Sequence, residues 1–187
     1  MATKIYIDQG HNPVNPNAGS EGNGFREQDL VYTIGQMTAA SLRSYRFDVR
    51  LSRPSPTTQL GTSNTTSLQA RVNDANSWGA DYFISLHTNA SDVTSASGSE
   101  AFVYRRDSDA EYLAENILTQ LNYATGLQNR GVMVRPGLYV LKKTKMPATL
   151  VELGFITNPV DAELMAYSPG LFAAGVSNGV LAYFGML

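Results

Sequence analysis

The chain has only two histidines, and each stands just past an apolar run: His11 after KIYID (4–8), and His87 at the end of DYFISLH (81–87). Two neutral imidazoles and one carboxylate form a common three-ligand set for catalytic zinc, with a fourth position left for water. Glu27 supplies a carboxylate where a helical pattern opens in FREQDL (25–30), beside the end of the first apolar run. Glu21 is the competing carboxylate, but it sits mid-loop with no element to fix it. Zinc lowers the pKa of water to about 7. A further carboxylate must then take a proton and pass it to a leaving group. Glu152 lies within the apolar run ATLVELGF (148–155), where an unpaired charge is costly and needs a reason.

Each residue also has an ordinary reading. A histidine at a strand end can simply be hydrogen-bonded, and Glu27 can be a favourable charge in a helix's first turn. Glu152 could pair with Arg71 or Arg135. The spacing 11, 27, 87 is not a short local metal motif, so the residues alone leave both readings open.

The elements that must position these groups alternate in type. Short apolar runs at 4–8, 47–52, 81–87, 101–105, 138–143 and 148–155 read as strands. Helical spacing appears from about 26 to 45, where Leu30, Ile34, Met37 and Leu42 share a face, and again near 67–78 and 109–124. Asn158 followed by Pro159 opens a helix to 167, and Ser168-Pro169 repeats that signal for the last one. The segments 12–24 and 53–66 are polar, Pro- and Gly-containing connections, and 88–100 reads as an exposed loop. Alternation of this kind predicts a single α/β domain with a twisted, mostly parallel sheet of about six strands flanked by helices. In such sheets ligands gather beyond the carboxyl ends of strands. His11, His87 and Glu152 all lie at or just past such ends.

Composition narrows the partners. With 187 residues, 43% hydrophobic and 16% charged, the chain is long enough for one well-packed core. A net charge of −2 offers no basic footprint for nucleic acid. The absence of cysteine excludes disulfides, thiolate metal sites and cysteine nucleophiles. The apolar segment 171–187 is short for a bilayer and carries Ser177 and Asn178, so a packed helix is expected rather than a membrane span. No basic n-region with an apolar stretch opens the chain, so no signal peptide is expected.

Four segments carry a more specific signal: IDQGHNP (7–13), GFREQDL (24–30), ARVNDANSWGADYFISLHTNA (70–90) and LYVLKKTKMPATLVELGFITNPVDAELM (138–165). In order and along nearly the whole chain, they resemble the zinc-dependent N-acetylmuramoyl-L-alanine amidase family, the type 3 catalytic domain of autolysins and phage endolysins. The resemblance implies one zinc ion held by His11, Glu27 and His87, with Glu152 as the catalytic acid/base. It implies hydrolysis of the amide between the lactyl group of N-acetylmuramic acid and L-alanine in bacterial peptidoglycan. A zinc peptidase acting within the stem peptide is the alternative that the same ligands would support. Residues 1–187 are then expected to be one amidase catalytic domain without a wall-binding domain, acting as a monomer on the cell wall. Lacking a signal peptide, it is expected to be released through a holin, in mother-cell lysis, or to be a trimmed piece. Asp8, at the end of the first strand, is expected to orient a ligand imidazole, and Asn89 to border the cleft. Gln9 and Asn12-Pro13 depart from the small residue and the glycine that usually flank the family's Gly-His, so different substrate contacts are expected there.

Overall fold

Alternate residues of the apolar runs feed two separate cores, and this alternation decides where the polar residues at the strand ends point. The computed structural model describes residues 2–187. Its strands are β1 (Lys4–Gln9), β2 (Glu21–Gly22), β3 (Phe25–Arg26), β4 (Asp48–Leu51), β5 (Tyr82–Asn89), β6 (Ser99–Val103), β7 (Asn129–Val134) and β8 (Ala148–Phe155). Its helices are α1 (Glu27–Ser44), α2 (Asn64–Trp78), α3 (Asp109–Thr125), α4 (Tyr139–Lys143), α5 (Pro159–Tyr167) and α6 (Pro169–Tyr183). Six strands form one sheet in the order β4-β1-β5-β8-β6-β7, while β2 and β3 make a small hairpin inside the first connection. Strands β4, β1, β5 and β8 run parallel; β6 is antiparallel to β8, and β7 is parallel to β6.

One face of the sheet carries the larger core. Ile5, Ile7, Ile84, Leu86, Val151 and Leu153 pack there against Leu30 and Ile34 of α1, Leu113 and Ile117 of α3, and Val176 and Val180 of α6. The intervening residues Tyr6, Phe83, Phe102 and Leu150 face the other way, onto Val72 and Ala75 of α2 and Val140 and Leu141 of α4. By the period of two, Asp8, His87, Glu100 and Glu152 belong to this second face, two residues beyond Tyr6, Ser85, Phe102 and Leu150 in register. The second core stops there, and polar chemistry begins.

Two elements differ from the sequence-based expectation. Residues 138–143, expected as a strand, form α4. Val140 and Leu141 are both buried and Lys142 and Lys143 both exposed, which suits a helical turn rather than a period of two. The sixth strand is instead β7, an edge strand that is nowhere fully buried. It carries too little apolar signal to stand out. The segment 88–100 is also shorter as a loop than expected, because β5 runs on to Asn89 and β6 starts at Ser99. Helix α2 begins at Asn64 because Ser63 and Thr66 form a capping box, each satisfying a backbone N–H of the other's turn. Among the described residues, no helix is long and apolar enough to cross a membrane.

Candidate metal centre and active site

Three chain segments converge where β1, β5 and α1 meet. His11 follows β1 by two residues, His87 lies near the end of β5, and Glu27 is the first residue of α1. Glu27 is 2% exposed and reaches both imidazoles with different oxygens. Its Oε2 lies 3.2 Å from His11 Nε2, and its Oε1 lies 3.0 Å from His87 Nδ1. Backbone N–H groups fix that orientation: Ser20 donates to Oε2 at 2.9 Å and Thr88 to Oε1 at 2.9 Å. Burial pushes the Glu27 pKa up, but the hydrogen bonds to His11 and His87 outweigh it and hold the carboxyl well below the usual range. The two imidazole rings stand edge to face with centroids 4.8 Å apart. One potential ligand atom from each of the three residues falls within 4.8 Å of the others, a group able to hold a metal ion. Glu21, the competing carboxylate, is exposed in β2 and outside this group.

Close approach explains the glycines around the cluster. A Cβ at Gly10 would lie 2.6 Å from His87 Cε1 and 2.7 Å from the Leu86 carbonyl oxygen. A Cβ at Gly19 would lie 2.8 Å from Glu27 Oε2 and 2.9 Å from His11 Cδ2. Any side chain at either place would displace a cluster member.

His11 itself adopts a left-handed conformation with φ of 64°, which costs a non-glycine residue about 1–2 kcal/mol. Arg71 of α2 holds it there. Its Nη2 donates to the His11 carbonyl, while its Nη1 donates to the Asp8 carboxylate and, at 2.6 Å, to the Gln9 carbonyl. Arg71 and Asp8 are each 1% exposed. Burial alone would raise the Asp8 pKa, yet the Arg71 guanidinium and the Ser85 hydroxyl, donating at 2.7 Å, bring it below the ordinary value. The expectation that Asp8 bonds a ligand imidazole is therefore corrected: both its oxygens are taken by Arg71 and Ser85, and it supports His11 through the backbone.

Asn12 explains part of the departure after His11. It is fully buried and fastens the connection inward, donating to the carbonyls of Pro16 (2.8 Å) and Leu60 (2.9 Å) and accepting from the Leu60 N–H (3.1 Å). Gln9 is likewise buried, with its side-chain oxygen accepting from the Arg53 N–H at 2.9 Å. Neither side chain is turned to the cleft. Both are missed as structural anchors in the sequence, because nothing in a polar loop pattern distinguishes an inward Asn from a solvated one.

Glu152 stands on β8 directly across from His87 of β5, about 4.8 Å away along the sheet. Its other neighbour in register is Glu100 of β6. Among the described residues Glu152 has no cationic partner, for Arg71 is spent on Asp8 and Arg135 lies over the Phe102 ring. Its Oε2 is buried without any hydrogen bond. Burial, reinforced by the Glu27 and Glu100 carboxylates, pushes its pKa up to about 8. Glu100 is differently placed, since Arg130 donates to it at 2.9 Å and Asn89 at 2.8 Å. Asn89, expected at the border of the cleft, thus holds the carboxylate beside Glu152.

Comparison with known proteins follows the same geometry. A family described as N-acetylmuramoyl-L-alanine amidase matches residues 5–182. The N-acetylmuramoyl-L-alanine amidase LytC of Bacillus subtilis (strain 168) is 35% identical over 186 residues, covering 96% of this chain and 35% of that protein. CwlM of Bacillus licheniformis, another N-acetylmuramoyl-L-alanine amidase, is 34% identical over 196 residues, covering 98% of this chain and 69% of that protein. The chain thus spans about a third of LytC and a larger share of CwlM. Among solved structures, the amidase AmiC2 of Nostoc punctiforme matches with a TM-score of 0.84 at 29% identity, covering 98% of this chain and 97% of that one.

Proposed function

The chain belongs to the N-acetylmuramoyl-L-alanine amidase family, and from that premise we propose that it cleaves the lactyl–L-alanine amide of bacterial peptidoglycan using a zinc ion held by His11, Glu27 and His87, with Glu152 as acid/base. One observation carries this reading: three ligand atoms meet within 4.8 Å while the carboxylate on the adjacent strand keeps a buried oxygen without a partner. The donor set fits zinc. Two imidazoles and one carboxylate, with no thiolate, suit a catalytic site. One ligand atom from each of the three residues lies within 4.8 Å of the others, so small side-chain rotations would bring them to the spacing of ligands around one ion. When bound, zinc supplies a Lewis acid that polarises the amide carbonyl and brings the pKa of water near neutrality.

The chain's own residues supply the rest. Glu27 stays ionised, because both imidazoles and two backbone N–H groups stabilise its charge. Glu152 takes a proton from the attacking water as oxygen bonds to the lactyl carbonyl carbon. It returns that proton to the alanine nitrogen as the carbon–nitrogen bond breaks, leaving a lactyl carboxylic acid and a free amino terminus. Without a metal the Glu152 pKa is pushed up to about 8; a cation beside it would bring it down toward neutrality, where a carboxyl can both accept and return a proton.

Digestion of purified peptidoglycan tests this reading against a stem-peptide peptidase. New amino termini should be alanine, matched by free lactyl groups. Any other new terminus would overturn the amidase assignment. About one zinc per chain should be found, with activity lost on chelation and restored by zinc. Glu152→Gln should retain the metal yet lose a factor of about 10²–10⁴ in kcat; near-normal turnover would remove Glu152 from its role.

A further inference from the structure

Of the 14 lysines and arginines, all but five engage a carboxylate, a carbonyl or an aromatic ring with their side chains. Among the described residues the five without such a partner are Arg46, Arg105, Lys142, Lys143 and Lys145. Arg105, just past the end of β6, and Lys142 and Lys145, at and beyond the end of α4, line one cavity of about 400 Å³. Lys143 is their neighbour in sequence. Like charges repel, so three unpaired cations around one cavity oppose each other until an anion joins them.

This cavity is separate from the metal centre. Its residue Ala148 precedes Glu152 by four positions on β8, about 13 Å along the strand. Helix α4 stands between the two places, with Tyr139 and Val140 beside His11 and His87 and Leu141 and Lys142 turned to the basic cavity. The rest of the lining narrows the anion. One guanidinium fork with two ammonium groups suits the several oxygens of a phosphate, whereas a carboxylate is satisfied by a single such partner. Leu141, Met146 and Pro147, buried or half-buried, give the cavity an apolar side for a short carbon body. Asp109 is the one carboxylate in the wall; it accepts a hydroxyl and repels a second acidic group. The volume is that of a small-molecule site. We propose that this cavity binds the phosphate ester of a small polyol or sugar, at a site that does not depend on the amidase reaction.

Calorimetric titration of chelator-treated protein with glycerol 3-phosphate tests the site, with the metal position kept out of the measurement. Binding should be about tenfold or more tighter than that of acetate at equal ionic strength. Arg105→Gln and Lys145→Gln should each weaken it about tenfold. Arg46→Gln, which removes an unpaired cation elsewhere, should leave it unchanged. All three side chains are exposed, so Tm should stay at the wild-type value. Asp109→Asn should tighten the binding of inorganic phosphate and narrow the preference for glycerol 3-phosphate over it. Bis(glyceryl) phosphate separates the two sources of such an ester: weaker binding than the monoester indicates a free metabolite, and tighter binding a phosphodiester polymer.

No binding, or acetate bound as tightly as glycerol 3-phosphate, would overturn the proposal. So would equal losses in Arg46→Gln and Arg105→Gln, which would mean attraction by diffuse charge. Binding seen only with zinc-loaded protein would place the phosphate on the metal and overturn it too. An unchanged preference in Asp109→Asn would overturn the polyol assignment.

Discussion

Replacing Glu152 with glutamine should make the metal-free protein more stable, and the gain should appear only as the pH rises. The carboxyl titrates near 4.5 when unfolded and at about 8 in the folded chain. Its folded value is the higher one, so between these limits the folded state keeps a proton that the unfolded state has released. Stability then falls as pH rises through that window, by up to about 1.4 kcal/mol per pH unit. Over the whole window this bounds the penalty at about 5 kcal/mol. Glu152 is only half-buried, with Oε2 enclosed, so solvent screening reduces the figure, and about 2 kcal/mol is a reasonable expectation.

Glutamine keeps the shape and removes the charge. For a chain of this length 1 kcal/mol shifts Tm by about 2–4 °C. The variant should therefore melt about 4–8 °C above wild type near pH 8.5, and within about 1–2 °C of it near pH 4.5. Thermal unfolding of chelator-treated pairs, followed by circular dichroism, measures this directly. Added zinc should narrow the gap, because a nearby cation stabilises the ionised carboxylate. A variant that melts with or below wild type near pH 8.5 would refute the claim that the fold holds a strained carboxylate at this place. Coupled to lost turnover, the stability gain identifies a group kept for chemistry rather than for the fold.

Other perturbations address the support of the cluster. Arg71→Met should cost about 3–5 kcal/mol by leaving the Asp8 carboxylate buried and unpaired, seen as a Tm drop of about 10 °C or more. The protein still folded at low temperature should bind zinc more weakly, since His11 loses the contact on its carbonyl. Asp8→Asn should also destabilise, and its deficit should shrink as the pH falls, because the lowered pKa of Asp8 contributes stability only above its unfolded value. Gly10→Ala places a methyl against the His87 ring and should weaken zinc binding about 10–100-fold in a chelator competition. Ser63→Ala, which breaks the cap of α2, should cost about 1 kcal/mol with no change in zinc affinity.

The sequence was most legible where one physical signal dominated. Runs with strong apolar content, such as residues 4–8 and 148–155, became strands at nearly the expected bounds, and Asn158-Pro159 opened α5 as its capping chemistry implies. Legibility failed where the signal was divided. In β7 Val132 and Met133 touch the two cores without being fully buried, and Gly131 interrupts the run, so neither periodicity nor burial marks it. Residues 138–143 contain enough β-branched and aromatic character to read as a strand, yet packing against the second core selects a short helix. The support around His11 was hidden for another reason. Arg71 was readable only as one possible partner for Glu152, whereas it pairs with Asp8; which carboxylate it meets depends on which strand end α2 crosses, and that is a tertiary fact.

Glu27 and Glu152 illustrate the limit most directly. Both are glutamates of the same site, Glu27 against both histidines and Glu152 across the sheet from His87, and residue type alone cannot say which should be charged. Environment separates them. Glu27 receives two backbone N–H groups and faces both imidazoles, so the charged form is favoured despite burial. Glu152 faces Glu27 and Glu100 with one oxygen enclosed and unpartnered, so the neutral form is favoured up to about pH 8. Two carboxyls pushed in opposite directions within one site are the physical basis for assigning one to hold a cation and the other to carry a proton. Arg130 and Asn89 sharpen that division by holding the Glu100 carboxylate beside Glu152, where it raises the Glu152 pKa. The edge strand that escaped notice in the sequence therefore carries, through Arg130, part of what sets the proposed acid/base apart from the proposed ligand.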